Sequence, residues 1–388
     1  MGADVPKLTF LFTGLINQNQ ICTHTDMWQV MSSWTDESGK PISACPIHAL
    51  QRHLDLLNKE YDLNIMIGFE LEVVFLHRTS TSPPSYSPLT TTHSWGTFHP
   101  QDLTLALPLL TEIESALSAA GITVQQFHSE AGPGQYEIVL APLPAIDAIH
   151  TLYQARQIVQ HVAEAADLRA TFHPCPISGD GNASHAHISL NDTRCGAKAS
   201  GVRMEEVEMN AREMSFWAGV LEHLEAICAF SMPEAESYER IVEDHWTGGV
   251  WIAWGTQNRE VPLRRIGGFG GSRRWEVRCV DGCANMYLAI AAIVAAGYEG
   301  LRERKDMKFN DCDVNPARVS KDERLSYGIS RRLPESFGEA LEKLGEDDKL
   351  REAIGVIADD YLVMKKVEQD MLAKMLPAER RTWLVERY

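Results

Sequence analysis

The segment IGFELEVVFL, residues 67–76, carries two glutamates inside an otherwise apolar run. Ile, Val, Leu and Phe at this density read as a β-strand. Side chains alternate across a strand, so Ile67, Phe69, Leu71, Val73 and Phe75 share one face. Glu70 and Glu72 share the other. Neighbouring buried acids repel each other and lose hydration. A fold built on this strand must therefore supply counter-charge to one of its faces.

Other strand-like runs show the same habit. In ASHAHISL, 183–190, Ala183, His185, His187 and Ser189 oppose Ala186, Ile188 and Leu190. In RRWEVRCV, 273–280, Arg274, Glu276 and Arg278 oppose Trp275, Val277 and Cys279. In EAGPGQYEIVL, 130–140, Gln135 and Glu137 oppose Tyr136 and Ile138, and Glu130 precedes a Gly-Pro-Gly bend. An ordinary solvated strand face mixes Thr, Ser, Lys and Glu; here the selection is Glu, His and Arg, without Lys.

A divalent metal resolves the pattern. Glu70, Glu72, Glu130, Glu137 and Glu276, with His185, form a set of hard oxygen donors and one imidazole, suited to Mg²⁺ or Mn²⁺ rather than Zn²⁺. Five carboxylates exceed the need of one ion, so two ions are expected. Arg259, Arg264, Arg274 and Arg278 read as forks for phosphate and carboxylate. Metal, acids and arginines together suggest phosphoryl transfer.

Each element alone has a plainer reading. A single Glu-x-Glu is usually a solvated strand face, and a single His-x-His a surface or core pair. RIGGFGGSRR, 265–274, lacks the Gly-Lys-Ser/Thr of a P-loop. Cys279 is expected as a packed strand residue, and His173, Trp251 and Trp254 as core.

The rest of the chain sets bounds. Its 388 residues carry a net charge of −17, from 53 acids against 36 Lys and Arg, which disfavours nucleic acid and anionic membrane as partners. No apolar run reaches the ~20 residues of a membrane helix. Eight scattered cysteines read as free thiols in the cytoplasm. Residues 77–95, rich in Ser, Thr and Pro, form a loop or hairpin excursion. Helical periodicity falls near 101–120, 145–167, 208–230, 285–303, 335–345 and 348–374. Strands fall near 64–76, 122–128, 134–141, 183–190, 250–255 and 273–280. Strands and helices do not alternate strictly, which argues for an α+β fold.

The order of the motifs resembles the glutamine synthetase family, in its catalytic domain. GFELE, EAGPGQYE, GNASHAHISL, SYER, NREVPLR and RWEVRCVDGCANMYLA follow that family's sequence of motifs from about residue 40 to the end. The spelling looks like the synthetase-like domain of fungal FluG-type proteins. The resemblance implies a curved, largely antiparallel sheet forming an active-site funnel, flanked by helices. It implies a lead-in over 1–40 and a catalytic domain over 41–388.

It also implies roles. Glu72, Glu130 and Glu137 would hold the metal that organises the amino-acid carboxylate. Glu70, His185 and Glu276 would hold the metal that bridges the nucleotide phosphates. Arg259 and Arg264 would face the transferring phosphoryl group, with Arg274 and His187 on the nucleotide side. Arg240, Gly181 and Arg278 would take a glutamate-like substrate.

Three departures bear on specificity. Asp180 precedes Gly181 where the family has Asn. Trp246 stands where ammonia-using members carry an acid, which points to a bulkier amine. The residues before the motifs are too few for the family's N-terminal β-grasp domain, so a homo-oligomer other than the family's double ring is expected.

The expected activity is ATP-dependent joining of a side-chain carboxylate to an amine. The competing expectations are a synthetase-like scaffold or regulator without turnover, and a metal-dependent hydrolase. The hydrolase leaves the four arginines idle.

Overall fold

The computed structural model describes residues 31–91, 95–193, 209–245, 247–267 and 273–388, with the backbone of 9–11, 19–20, 28–29 and 202–208. Its organising element is β1 (Leu63–Thr81), the long strand that contains both glutamates. The other strands of its ten-stranded sheet are β2 (Pro84–Pro88), β3 (Val124–Ser129), β4 (Gln135–Leu140), β5 (Leu143–Pro144) and β6 (Leu168–Thr171), followed by β7 (Ala186–Asp192), β8 (Trp254–Thr256), β9 (Leu263–Gly267) and β10 (Arg273–Val277). The main path runs β8-β9-β10-β7-β1-β4-β3, and β2, β5 and β6 also pair with β1. Every pairing is antiparallel except β8 with β9. This is the open, largely antiparallel α+β sheet expected from the sequence.

Alternation along β1 separates two environments. Ile67, Phe69, Leu71, Val73 and Phe75 are buried and join one apolar core with Ile149, Leu152 and Val159 of helix Ala145–Ala165. Helix Met286–Arg302 is buried along almost its whole length and packs between helices Pro46–Tyr61 and Val202–Glu222. The opposite face collects the polar residues by register. Glu72 stands directly across from Glu137, His128 across from Glu137, and His187 and Arg264 each across from Glu276. Like charges directly opposed in a sheet are destabilising. The Glu72–Glu137 pairing needs a cation nearby.

Several expectations shift in detail. The excursion at 77–95 is a hairpin, since β1 continues to Thr81 and returns as β2. The 348–374 pattern splits at Gly355, whose φ of 91° ends one helix before the next begins. The 208–230 helix breaks at His223. Within 250–255 only Trp254 onward is strand; Trp251 makes an isolated bridge to Arg332. Trp251 is partly buried at the edge of a small core of Ala253, Val261, Cys312 and Ile329, with the guanidinium groups of Arg324 and Arg332 4.3 and 4.8 Å from its ring. His173, Trp254 and Cys279 are buried as expected. Helix Pro46–Tyr61 and strands β6 and β9 were not anticipated.

The six described cysteines are free and buried; Cys22 and Cys195 lie outside the described residues. No described helix is long and apolar enough to cross a membrane.

Candidate active site

A cavity of about 400 Å³ opens on the polar face of the sheet. All six expected metal ligands line it: Glu70, Glu72, Glu130, Glu137, His185 and Glu276. Arg240, Arg259, Arg264, Arg278 and Gly181 face the same space. His187, Arg274 and Asp180 do not. Arg274 Nε donates to His187 Nδ1 at 3.1 Å, and His187 Nε2 lies 2.7 Å from Glu70 Oε1. His187 thus touches the cavity wall at Glu70, and Arg274 reaches it through His187. Trp246 lies outside the described residues, while its neighbours His245 and Thr247 line the cavity.

The acids fall into two groups with opposite electrostatics. In the first, donor atoms of Glu70, His187 and Glu276 lie within 4.8 Å of one another. His185 Nδ1 joins them, 2.8 Å from Glu70 and 3.5 Å from Glu276, and 3.6 Å from Glu72. Burial opposes ionisation of Glu70, and hydrogen bonds from His185 and His187 overcome it, holding its carboxyl well below the usual range. Burial likewise opposes ionisation of Glu276, and the Arg278 charge outweighs it. Arg278 hydrogen-bonds Glu276, and Arg264 Nη1 donates to its other oxygen at 3.0 Å.

In the second group, donor atoms of His128, Glu130 and Glu137 lie within 4.8 Å of one another. His128 Nε2 is 3.2 Å from Glu137 and Nδ1 is 3.6 Å from Glu130. Its hydrogen bond to Glu137 raises His128 to about 9. Glu137 nonetheless rises to about 7, because burial and the charges of Glu70 and Glu72 outweigh one imidazolium. Burial and Glu137 push Glu130 to about 7. Burial and Glu130 push Glu72 to about 8. Three carboxylates share too little positive charge to ionise together at neutral pH.

That imbalance fits hard divalent cations, which favour clustered carboxylate oxygens. His185 presents Nδ1 to the acids, 2.8 Å from Glu70, and burial and then the Arg278 charge lower its ring to about 4, so a neutral imidazole faces the group. Its buried Nε2 has no hydrogen-bond partner.

Local geometry explains how these groups are held. Gly134, at φ 67°, closes the Gly-Pro-Gly bend, and an added Cβ would lie 2.7 Å from the Phe75 carbonyl oxygen. Gln135, just after the bend, donates from Nε2 to Glu72 Oε2 at 2.9 Å and to the Gly181 carbonyl at 2.9 Å. The Ala183 N–H donates to the same Glu72 oxygen at 2.7 Å. Arg240 ends helix Ala235–Arg240 and donates from Nη2 to the Arg278 carbonyl at 3.2 Å. Sequence reasoning missed His128, although Gln126, His128 and Glu130 repeat the period-two signal one strand earlier. It also missed Trp95, whose place at the cavity depends on a long-range contact with no local pattern.

An acid-rich cavity on the polar face of such a sheet, walled by guanidinium groups, can hold cations and anionic groups side by side. The family model for the glutamine synthetase catalytic domain matches residues 43–384, and the chain belongs to the glutamine synthetase family. It is 38% identical to Protein fluG of Emericella nidulans over 364 residues, covering 92% of this chain and 40% of that relative. It is 31% identical to the glutamine synthetase of Pyrococcus horikoshii, covering 91% of this chain and 78% of the relative. It is 30% identical to Gamma-glutamylpolyamine synthetase GlnA3 of Streptomyces coelicolor, covering 87% and 71%. Among solved structures, a GmaS/ADP complex superposes with a TM-score of 0.76 at 26% identity, covering 91% of this chain and 80% of the other. The family generally uses ATP and divalent metals.

Proposed function

We propose that this chain joins the side-chain carboxylate of glutamate, or of a similar acid, to an amine at the expense of ATP. The observation that carries this reading is the meeting, in one cavity, of two acid-histidine groups with Arg240, Arg259, Arg264 and Arg278. Glu72, Glu130 and Glu137, bordered by His128, would hold one Mg²⁺ or Mn²⁺ ion. Glu70, His185 and Glu276, bordered by His187, would hold a second. Bound divalent ions supply charge neutralisation at the phosphates.

Arg240, Arg278 and the Gly181 backbone bind the acid. Its carboxylate oxygen attacks the γ-phosphorus, the bond to ADP breaks, and an acyl phosphate forms. Arg259 and Arg264 stabilise the charge on the transferring group. His187 and Arg274 border the nucleotide. The amine nitrogen then attacks the acyl carbon, inorganic phosphate leaves, and the amine proton passes to a cavity carboxylate. The product is a γ-glutamyl amide.

The test is release of ADP and phosphate across a panel of amines with glutamate and Mg²⁺ present. Amine-dependent release, matched by γ-glutamyl amide, is the expected result. Nucleotide binding without turnover favours the second reading, a synthetase-like scaffold. The charge closure of Glu276 by two arginines supports that second reading.

Gly181 offers a sharper check. A Cβ at this position would lie 2.7 Å from Arg240 Cγ, and Arg240 is buried. Gly181→Ala should displace the guanidinium and lower kcat/KM for the acid by on the order of 10²-fold. The KM for ATP should stay nearly unchanged. An equal loss for both substrates would remove Arg240 from the acid subsite.

A further inference from the structure

We propose that the acceptor is a primary amine bearing an aromatic ring on a short tether, and that Trp95 receives that ring at the cavity mouth. This rests on the ligase reading above and narrows its substrate class.

Trp95 is 54% exposed yet lines the cavity. The backbone that carries it is braced. Gly96 N donates to the Ser129 carbonyl at 3.0 Å, and Ser129 Oγ donates to the Thr97 carbonyl at 3.0 Å. Phe98 stacks on Tyr136, with centroids 6.4 Å apart, and meets Phe127 edge-on at 6.5 Å. Asp102 accepts from His99 N at 2.7 Å and from the Tyr136 hydroxyl at 2.6 Å. An exposed indole on a braced segment presents a fixed aromatic surface.

Its neighbours place that surface. The ring lies edge-on to His128 at 6.4 Å, and His128 is paired to Glu130 and Glu137. The indole is thus one side chain away from Glu130 and Glu137 on the cavity wall. Arg259 Cζ stands 4.9 Å from the same ring.

Arg259 decides the kind of substituent. A guanidinium is always charged and already uses the ring as a cation–π partner. A second ammonium on the acceptor would compete for that ring and meet a like charge. A neutral flat group meets no such repulsion and gains offset or edge-on stacking. The mouth therefore favours an aralkyl amine over an aliphatic diamine.

The test uses the whole chain with glutamate, ATP and Mg²⁺, and reads ADP release with 2-phenylethylamine, 1,4-diaminobutane and ammonium chloride. The kcat/KM for 2-phenylethylamine should exceed that for 1,4-diaminobutane by about tenfold. Trp95→Ala should raise KM for 2-phenylethylamine by about tenfold and KM for ammonium by less than about twofold. Trp95→Phe should recover most of the loss. Preference for the diamine, or an equal effect of Trp95→Ala on all three amines, overturns the proposal alone. Absence of ADP release with every amine overturns the ligase reading and this proposal together.

Discussion

Glu276→Gln should lower metal-dependent nucleotide turnover by at least on the order of 10²-fold and also destabilise the fold. Both effects come from one carboxylate that serves two purposes. Glu276 is 1% exposed, and it neutralises Arg278 and Arg264, whose side chains are 3% and 16% exposed. Removing one partner from a buried ion pair leaves an uncompensated charge, at a cost of roughly 3–5 kcal/mol. The amide still accepts a hydrogen bond, so the low end of that range is expected. The two effects can be separated. Adding Arg264→Gln to Glu276→Gln removes one of the stranded charges and should recover part of the stability. It should recover none of the activity. Urea unfolding and ADP release, measured on the same preparations, provide the comparison. Turnover of Glu276→Gln within about tenfold of the parent would rule out Glu276 as a ligand of the proposed nucleotide-side metal.

The fold was legible where side-chain period and burial agree. β1 and β4 combine a dry face with a charged face, and their alternation survives intact in the sheet. Helix Pro46–Tyr61 was not anticipated, although Pro stands in its first turn and Leu50 and Leu57 are buried; it lacks a side-chain cap. β9 was not legible. Arg264 and Arg265 dominate its five residues, and its strand character comes from pairing with β8 and β10 rather than from its own composition. The break at Gly355 had a local signal, a glycine whose left-handed φ ends a helix, which the periodic pattern overran; the break at His223 had no such residue.

The candidate site was legible through the repetition of one chemical choice on four strands. Sheet register then brings Glu72, Glu137, His128, His187 and Glu276 together, and register is a long-range property. His187 was assigned to a nucleotide side; it also donates to Glu70, as Arg274 Nε donates to its other nitrogen. Arg274 shares the alternation of Glu276 and Arg278, yet it stands clear of the cavity because β10 carries it toward the sheet's exposed end. Trp95 carried no local signal, because a lone tryptophan after a Ser- and Thr-rich stretch looks like any loop residue.

Glu72→Gln should make the metal-free protein more stable than the parent at neutral pH and remove most of its stabilisation by Mn²⁺. Burial and the Glu130 charge raise Glu72 to about 8, so without metal the side chain is mostly protonated at pH 7. Glutamine matches that neutral form in shape. Its carbonyl can take the hydrogen bonds that Glu72 Oε2 accepts from Gln135 and Ala183. Below pH 4.5, where Glu72 is neutral both folded and unfolded, a difference within about 1 kcal/mol is expected. The pH dependence has a definite sign. A carboxyl whose folded pKa lies above its ordinary value contributes most below that ordinary value, and its contribution is lost as pH rises through the folded pKa. Between 4.5 and about 8 the metal-free parent therefore loses stability on account of Glu72, and the glutamine variant escapes that loss. Glu130 and Glu137, raised to about 7, add to the same trend in both proteins. Metal binding requires the ionised carboxylates, so it reverses the trend. The rise in melting temperature on adding Mn²⁺ should thus be larger at pH 8 than at pH 6 for the parent, and small at both for Glu72→Gln. Thermal melts at the two pH values, with and without Mn²⁺, test this. A full Mn²⁺ shift in the variant would exclude Glu72 as a ligand. A parental shift that does not grow with pH would exclude the whole acid group of Glu72, Glu130 and Glu137.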